Sequence, residues 1–146
     1  MTSTAPARVA PGAASGSVRQ VGAVRAGWAL TALTGAFLAF DGVAHVLRVE
    51  AVEKAFADLG FPQGVATGIG VVELAALALY LVPRTSRLGA VLLTGYLGGA
   101  VAAQVRVQAP LVSTELFPVY LGAAAWAGLV LRDRAALALL LGRGRR

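Results

Sequence analysis

The sequence contains no cysteine, one histidine and few charged residues. Without cysteine, the chain has no disulfide, no thiol redox chemistry and no thiolate ligand for an iron–sulfur cluster. A zinc site needs three or four nitrogen or sulfur ligands, which a single histidine does not supply. Charged residues make up 14% of the 146 residues, against about 25% in a soluble domain. This shortage argues against an ordinary soluble globular protein.

Apolar residues dominate what is present. They account for 58% of the chain, and the mean hydropathy is +0.74, whereas soluble domains average roughly 45–50% apolar residues. A disordered chain would be more polar, and neither a sustained heptad nor a glycine at every third position supports a coiled coil or collagen. The composition indicates a small integral membrane protein with one domain.

Four apolar runs each approach the ~20 residues that cross a hydrocarbon core of about 30 Å. They are predicted to be helices, because an open sheet leaves its backbone unpaired in lipid and four strands cannot close a barrel. The runs cover residues 26–47, 64–82, 88–105 and 114–131. The sequence therefore predicts an all-α fold, a four-helix transmembrane bundle.

The segments outside these runs are polar or basic. Residues 48–63 have apolar side chains at helical spacing, which predicts a short interfacial helix between spans 1 and 2. Residues 1–24 lack the apolar core of a signal peptide and are predicted to form a disordered cytoplasmic tail. Residues 25–134 then form the membrane domain, and residues 135–146 form a basic cytoplasmic tail.

The basic residues are distributed unevenly between the two sides of the predicted bundle. With both termini inside, ten lie on the inner side, and only Arg48, Lys54 and Arg106 lie outside. Because cytoplasmic segments are enriched in Lys and Arg, this bias predicts an N-in/C-in topology. The net charge of +6 does not indicate a nucleic-acid partner, since no basic run with interleaved aromatic residues occurs. The expected partner is the lipid bilayer.

Ionisable side chains within the predicted spans are the candidate functional residues, because each is costly in lipid unless paired or hydrated. Asp41 and His45 lie one helical turn apart in the first run, and Glu73 lies near the middle of the second. These three are the candidate catalytic residues. The candidate ligand-binding residues are Arg48, Tyr96, Gln104, Arg106 and Tyr120. The topology places most of this set in the outer half of the bundle, where it predicts one polar cavity.

A purely structural role stays open for the same residues. Buried polar side chains often link membrane helices, contributing on the order of 0.6–2 kcal/mol per contact, and Tyr96 also suits a core aromatic position. Gly95 and Gly99 have GxxxG spacing, extended by Ala103. This spacing predicts a close helix-packing face, through which a homo-oligomer is a further option.

The candidate catalytic set is rich in oxygen, so no metal site is expected.

The longest distinctive pattern is PRTSRLGAVLLTGYLGGAVAAQVRV, residues 83–107. It is followed by the pair Phe117 and Pro118 and by AWAGLVLRD, which ends at Asp133. Taken together, these segments resemble the DoxX-like family of small four-helix membrane proteins. The resemblance covers nearly all of residues 28–133.

Single positions extend this resemblance. Gly42 and His45 match a family pattern of glycine plus a basic residue or histidine late in the first span. Gly70 and Glu73 match a Gly–Xaa–Xaa–Glu step in the second. Gln104 departs from the pattern, because related sequences often carry histidine in this neighbourhood. The departure argues against a histidine-based redox or metal site.

The resemblance implies a bacterial inner-membrane protein, and the name-giving member of the family is a subunit of a thiosulfate:quinone oxidoreductase. The first hypothesis is therefore an accessory subunit of a quinone-linked oxidoreductase, with a quinone head group bound in the outer-half pocket. In it, His45 and Arg106 donate to the quinone carbonyls, and Glu73 or Asp41 handles protons. No intrinsic cofactor is expected, so a redox partner subunit is implied.

Two alternatives come from other functional classes. In the first alternative, the chain is a membrane-embedded acid–base enzyme of isomerase or cyclase type, in which Glu73 exchanges a proton with a lipophilic substrate and Asp41 orients His45. In the second, it is a structural or assembly protein without catalysis, whose polar residues only join helices.

Overall fold

The computed structural model describes residues 12–142, which form six α-helices and one wide π-helical turn. In chain order these are α1 (Gly12–Val46), α2 (Glu50–Asp58), α3 (Val65–Leu81), α4 (Ser86–Arg106), the turn Leu111–Glu115, α5 (Phe117–Arg132) and α6 (Arg134–Leu140). No strand occurs between Gly12 and Gly142. The all-α prediction is confirmed, and a short helix, α2, lies between the first two long ones.

Among the described residues, three helical stretches are long and apolar enough to cross a membrane: Gln20–Val46, Ser86–Arg106 and Leu111–Arg132. Helix α3 is also apolar but has 17 residues, a length of about 25 Å at about 1.5 Å per residue. Many large apolar side chains point away from the protein interior, such as Phe40, which is 76% exposed. An exposed apolar surface of this extent suits lipid, and the chain is a membrane protein.

The first helix begins earlier than the sequence predicts. Residues 1–24 are assigned above to a disordered tail, whereas α1 begins at Gly12, directly after Pro11. The reason is local, because no proline interrupts the chain from Gly12 to Val46 and alanines favour the helix. The predicted tail residues 1–11, and residues 143–146 of the basic tail, lie outside the described residues.

The C-terminal segment is also more ordered than a tail. Helix α6 begins after Asp133, whose carboxylate accepts a hydrogen bond from the backbone N–H of Ala135 at 2.9 Å. This is N-capping, which stabilises the start of a helix. On α6, Ala136 is 2% exposed and belongs to the apolar core.

The fourth apolar run starts its regular helix later than predicted, at Phe117 instead of Thr114. Pro118 is the cause. It has no N–H, and its ring would clash with the carbonyl of residue 114 inside a helix, but it fits the first turn of α5. The preceding residues form the wide turn Leu111–Glu115 instead.

The four long helices pack around one core. Helix α1 contacts α3 and α5, and α4 contacts the same two helices, so α1 and α4 occupy opposite corners. The largest apolar core residues are Leu38, Leu77, Tyr80, Leu93, Leu97 and Leu129. This arrangement leaves room between α1 and α4 at the end where α2 lies, and the candidate site occupies that end.

Candidate functional site

Two glycines determine how closely α1 and α3 approach. A Cβ atom on Gly70 would lie 2.6 Å from Cβ of His45 and 2.7 Å from the carbonyl oxygen of Gly42. A side chain at this position would therefore push the helices apart. His45 and Glu73 each follow their glycine by three residues, so they lie on the same contact face about one turn away. This explains why the two glycines accompany the two ionisable residues.

The close approach brings Asp41, His45 and Glu73 together and adds Tyr96 from α4; these four residues are the polar cluster. The Tyr96 hydroxyl donates to Oε2 of Glu73 at 2.8 Å. Nδ1 of His45 lies 3.9 Å from the same Oε2 atom and 3.6 Å from Oδ2 of Asp41. Glu73 is 0% exposed, and its Oε1 has no hydrogen-bond partner within residues 12–142. Side chains from three helices thus share one polar site, in which Glu73 is fully buried and Asp41 is partly exposed.

The backbone holds the imidazole ring of His45 in one orientation. Nδ1 donates a hydrogen bond to the carbonyl oxygen of Asp41 at 2.7 Å, and because a carbonyl only accepts, the proton lies on Nδ1. Phe56 of α2 packs edge-on against the ring, with centroids 5.2 Å apart. In a neutral imidazole this arrangement leaves Nε2 as a hydrogen-bond acceptor.

A cavity of about 470 Å³ adjoins the polar cluster. Asp41, His45, Tyr96 and Gln104 supply its polar lining, and Glu73 lies behind His45 and Tyr96. The apolar lining includes Phe37, Leu38, Phe56, Ile69, Phe117 and Leu121. The volume lies within the range of about 300–1,000 Å³ that is typical of ligand pockets, which also combine apolar walls with a few polar groups.

One wall of the cavity consists of small residues of α4. Gly95, Gly99 and Ala103 all line it, and a Cβ atom on either glycine would meet nothing within 4 Å. The prediction of a close helix-packing face is wrong within residues 12–142, because the missing side chains leave open volume. Gly98 does not line the cavity and is equally open. A homo-oligomer through this helix stays a prediction.

Helix α2 covers the cavity at one end. Ala55, Phe56 and Leu59 contribute to the lining, although α2 contains no fully buried residue. Arg106 at the end of α4 donates a hydrogen bond to the carbonyl oxygen of Leu59. Its guanidinium carbon also lies 5.9 Å from the centre of the Phe61 ring. Arg106 therefore connects the segment after α2 to α4.

Three of the five predicted ligand-binding residues do not line the cavity. Arg106 holds the segment after α2, and Tyr120 is 51% exposed. Arg48 forms an ion pair with Glu53, with Nε 2.8 Å from Oε1. The hydrogen bond from Arg48 lowers the pKa of the Glu53 carboxyl group below its usual value. Both basic residues, Arg48 and Arg106, therefore bind protein groups at the end that α2 covers, outside the cavity.

A metal ion has a set of ligand atoms available in the polar cluster. Asp41, His45 and Glu73 each offer one atom, and these atoms lie within 4.8 Å of one another. Nδ1 of His45, the ring nitrogen that lies 3.6 and 3.9 Å from the two carboxylates, already donates to a carbonyl oxygen, which leaves the two carboxyl groups. Such an oxygen-rich set is less suited to zinc than to harder cations. The prediction that the chain has no metal site stays a prediction.

The sequence gives no indication of a second polar cluster at the opposite end of the helices. Tyr80 is fully buried, donates to the carbonyl oxygen of Ala125 at 2.8 Å and lies 3.3 Å from Oγ1 of Thr31. Arg132 donates to the carbonyl oxygen of Tyr80 at 3.0 Å, and its guanidinium carbon lies 4.6 Å from the centre of the Trp28 ring. These contacts join α1, α3 and α5. A tyrosine in an apolar run is not distinguishable by sequence from one that faces lipid.

Comparison with known proteins identifies the family of the chain. The model of the DoxX-like family matches residues 29–128. The matched region contains every residue of the polar cluster and of the cavity lining. No curated protein matches the chain, and no solved structure matches it.

Proposed function

The chain belongs to the DoxX-like family, and on this premise we propose that it binds a quinone head group in its cavity as an accessory subunit of a quinone-linked membrane oxidoreductase. The observation that supports this proposal is the cavity itself, in which apolar walls surround four polar side chains. A quinone has the same combination, a flat apolar ring with a few polar oxygen atoms. Since the sequence lacks cysteine and has one histidine, the electron-transfer cofactor would belong to a partner subunit.

The proposal includes the topology, with four crossings of a bacterial inner membrane and both termini inside. Helix α3 is about 25 Å long, close to the hydrocarbon thickness of about 30 Å, and it packs between α1 and α4. Ten of the 13 basic residues lie inside under this arrangement, as the positive-inside rule requires. Helix α2 and the cavity then lie in the outer half of the membrane.

Single-cysteine labelling tests the crossing by α3 directly, because the chain has no native cysteine. Lys54 and Arg84 are both exposed and lie before and after α3. We expect Lys54→Cys to react with a membrane-impermeant maleimide in cells with a permeable outer layer, and Arg84→Cys to react only after the inner membrane is opened. Ser113→Cys, after α4, is expected to behave like Lys54→Cys. Equal labelling of the first two variants would show that α3 does not cross.

The binding proposal is tested by titrating the protein in lipid nanodiscs with a short-tailed benzoquinone, in both its oxidised and its reduced form. We expect saturable binding of at least one form at one site per chain, above the partitioning into empty nanodiscs. Uptake of both forms that matches the empty nanodiscs would overturn the proposal.

The acid–base enzyme is the second candidate, and the fully buried carboxyl group of Glu73 favours it. One oxygen of this group accepts a hydrogen bond from Tyr96, and the other has no hydrogen-bond partner within residues 12–142. This arrangement suits a group that exchanges a proton. Glu73→Gln preserves the shape and the bond from Tyr96 but cannot transfer a proton. If the chain is an acid–base enzyme, we expect this variant to fold normally and to lose a lipid product that the wild type makes. If the chain only binds a quinone, we expect the lipid extract of the variant to be unchanged.

If the chain is a structural or assembly protein, a third pattern of mutational effects is expected. Asp41→Asn, His45→Asn and Glu73→Gln would then all preserve cellular function, provided that each variant reaches the membrane at the wild-type level. Loss of function in any one of these folded variants would exclude a purely structural role.

A further inference from the structure

Apart from the amide of Gln104, the side-chain hydrogen-bond donors that line the cavity are already used within the protein. The proton on Nδ1 of His45 is directed at the carbonyl oxygen of Asp41, at 2.7 Å. The hydroxyl proton of Tyr96 is directed at Oε2 of Glu73, at 2.8 Å. Arg106, which the sequence suggests as a donor to a ligand carbonyl, binds the backbone near α2 and does not line the cavity. A ligand therefore finds few donors here.

The groups that stay free are mainly acceptors. The side chain of Asp41 is 38% exposed and lines the cavity, and neither of its oxygens accepts a hydrogen bond from residues 12–142. Nε2 of His45 has no partner in the same part of the chain, and in the neutral imidazole, whose single proton lies on Nδ1, it is an acceptor. Gln104 offers both a donor and an acceptor, and apart from Tyr96 the remaining lining side chains are apolar.

From this imbalance we propose that the cavity prefers the reduced, dihydroxy form of its quinone ligand, whose hydroxyl groups donate to the acceptor pair formed by Asp41 and Nε2 of His45. The oxidised form carries only carbonyl oxygens, which cannot donate and would face these acceptors unpaired. This inference rests on the proposed function and adds the redox form that the site recognises.

The test compares two redox forms of one short-tailed benzoquinone, titrated anaerobically into the protein in nanodiscs, with excess dithionite to maintain the reduced form. We expect the reduced form to bind at least about tenfold more tightly, as one charge-assisted hydrogen bond supports. For a two-electron couple, this ratio corresponds to a rise of about 30 mV in the midpoint potential of the bound quinone.

Asp41→Asn probes the acceptor directly, because it replaces a carboxylate oxygen with an amide donor of the same shape. We expect the two affinities in this variant to come within about twofold of each other. Asp58→Asn is the matched control, since Asp58 is exposed on α2 and does not line the cavity. It is expected to keep the wild-type preference.

The outcomes separate this inference from the proposed function. If the oxidised form binds as tightly as the reduced form in the wild type, the preference is refuted while quinone binding stands. A tenfold preference that persists in Asp41→Asn refutes the assigned acceptor. If neither form binds above empty nanodiscs, the proposed function itself fails. The wild-type comparison decides the matter even where Asp41→Asn does not fold.

Discussion

Replacing Gly70 by alanine is expected to destabilise the protein and to separate the residues of the polar cluster. The added Cβ atom would lie 2.6 Å from Cβ of His45 and 2.7 Å from the carbonyl oxygen of Gly42. Neither neighbour can rotate away, so α1 and α3 must move apart. Overpacking of this kind costs about 1–3 kcal/mol in the free energy of unfolding. The same movement takes His45 away from Glu73.

Thermal unfolding in mild detergent, followed by circular dichroism, measures this loss. Gly68→Ala is the matched control, because Gly68 lies on the same helix and its added Cβ would meet nothing within 4 Å. Alanine favours a helix over glycine by about 1 kcal/mol, so the control is expected to be as stable as the wild type or slightly more stable. Equal stability of Gly70→Ala and Gly68→Ala would contradict the proposed close contact of α1 and α3.

Gly99→Leu is expected to abolish binding in the cavity without loss of stability. Gly99 lines the cavity, and its Cβ position is free of neighbours within 4 Å. A leucine side chain can therefore extend into the open volume without displacing the backbone. A single methylene group in a tight apolar pocket changes recognition by about 10–200-fold. Because leucine adds four carbon atoms, we expect affinity for the benzoquinone to fall by more than about 100-fold.

Gly98→Leu is the control for this variant. Gly98 is adjacent in α4 and equally free of neighbours, but it does not line the cavity. It is expected to bind the benzoquinone like the wild type. The assignment of the cavity as the binding site is refuted if Gly99→Leu binds normally, or if both leucine variants lose binding equally while they stay folded.

Hydropathy was sufficient to predict the helical fold and most helix boundaries. The predicted runs 64–82 and 88–105 differ from α3 and α4 by two residues or fewer at each end. The boundaries fail where local chemistry overrides hydropathy. Pro118 moves the start of α5 towards the C-terminus, and alanines without an intervening proline extend α1 towards the N-terminus.

The site was predictable to the extent that its residues are costly in lipid. Asp41, His45 and Glu73 stand out because ionisable residues in apolar runs need partners. The bond between Tyr96 and Glu73 was not predictable, since periodicity does not contain the order of helices around the core. GxxxG spacing likewise does not distinguish a packing face from the wall of a cavity, and Gly99 belongs to a wall.

We propose that the cavity beside the polar cluster holds a quinone head group. Photo-affinity labelling with an azido-quinone in nanodiscs, followed by peptide mass spectrometry, tests the position of the bound ring. We expect label within residues 37–45 and 95–104, which is lost with excess unlabelled quinone and is absent in Gly99→Leu. Label that is spread over lipid-facing positions such as Leu33 and Val112, and that the competitor does not reduce, would show that the ring does not bind in the cavity.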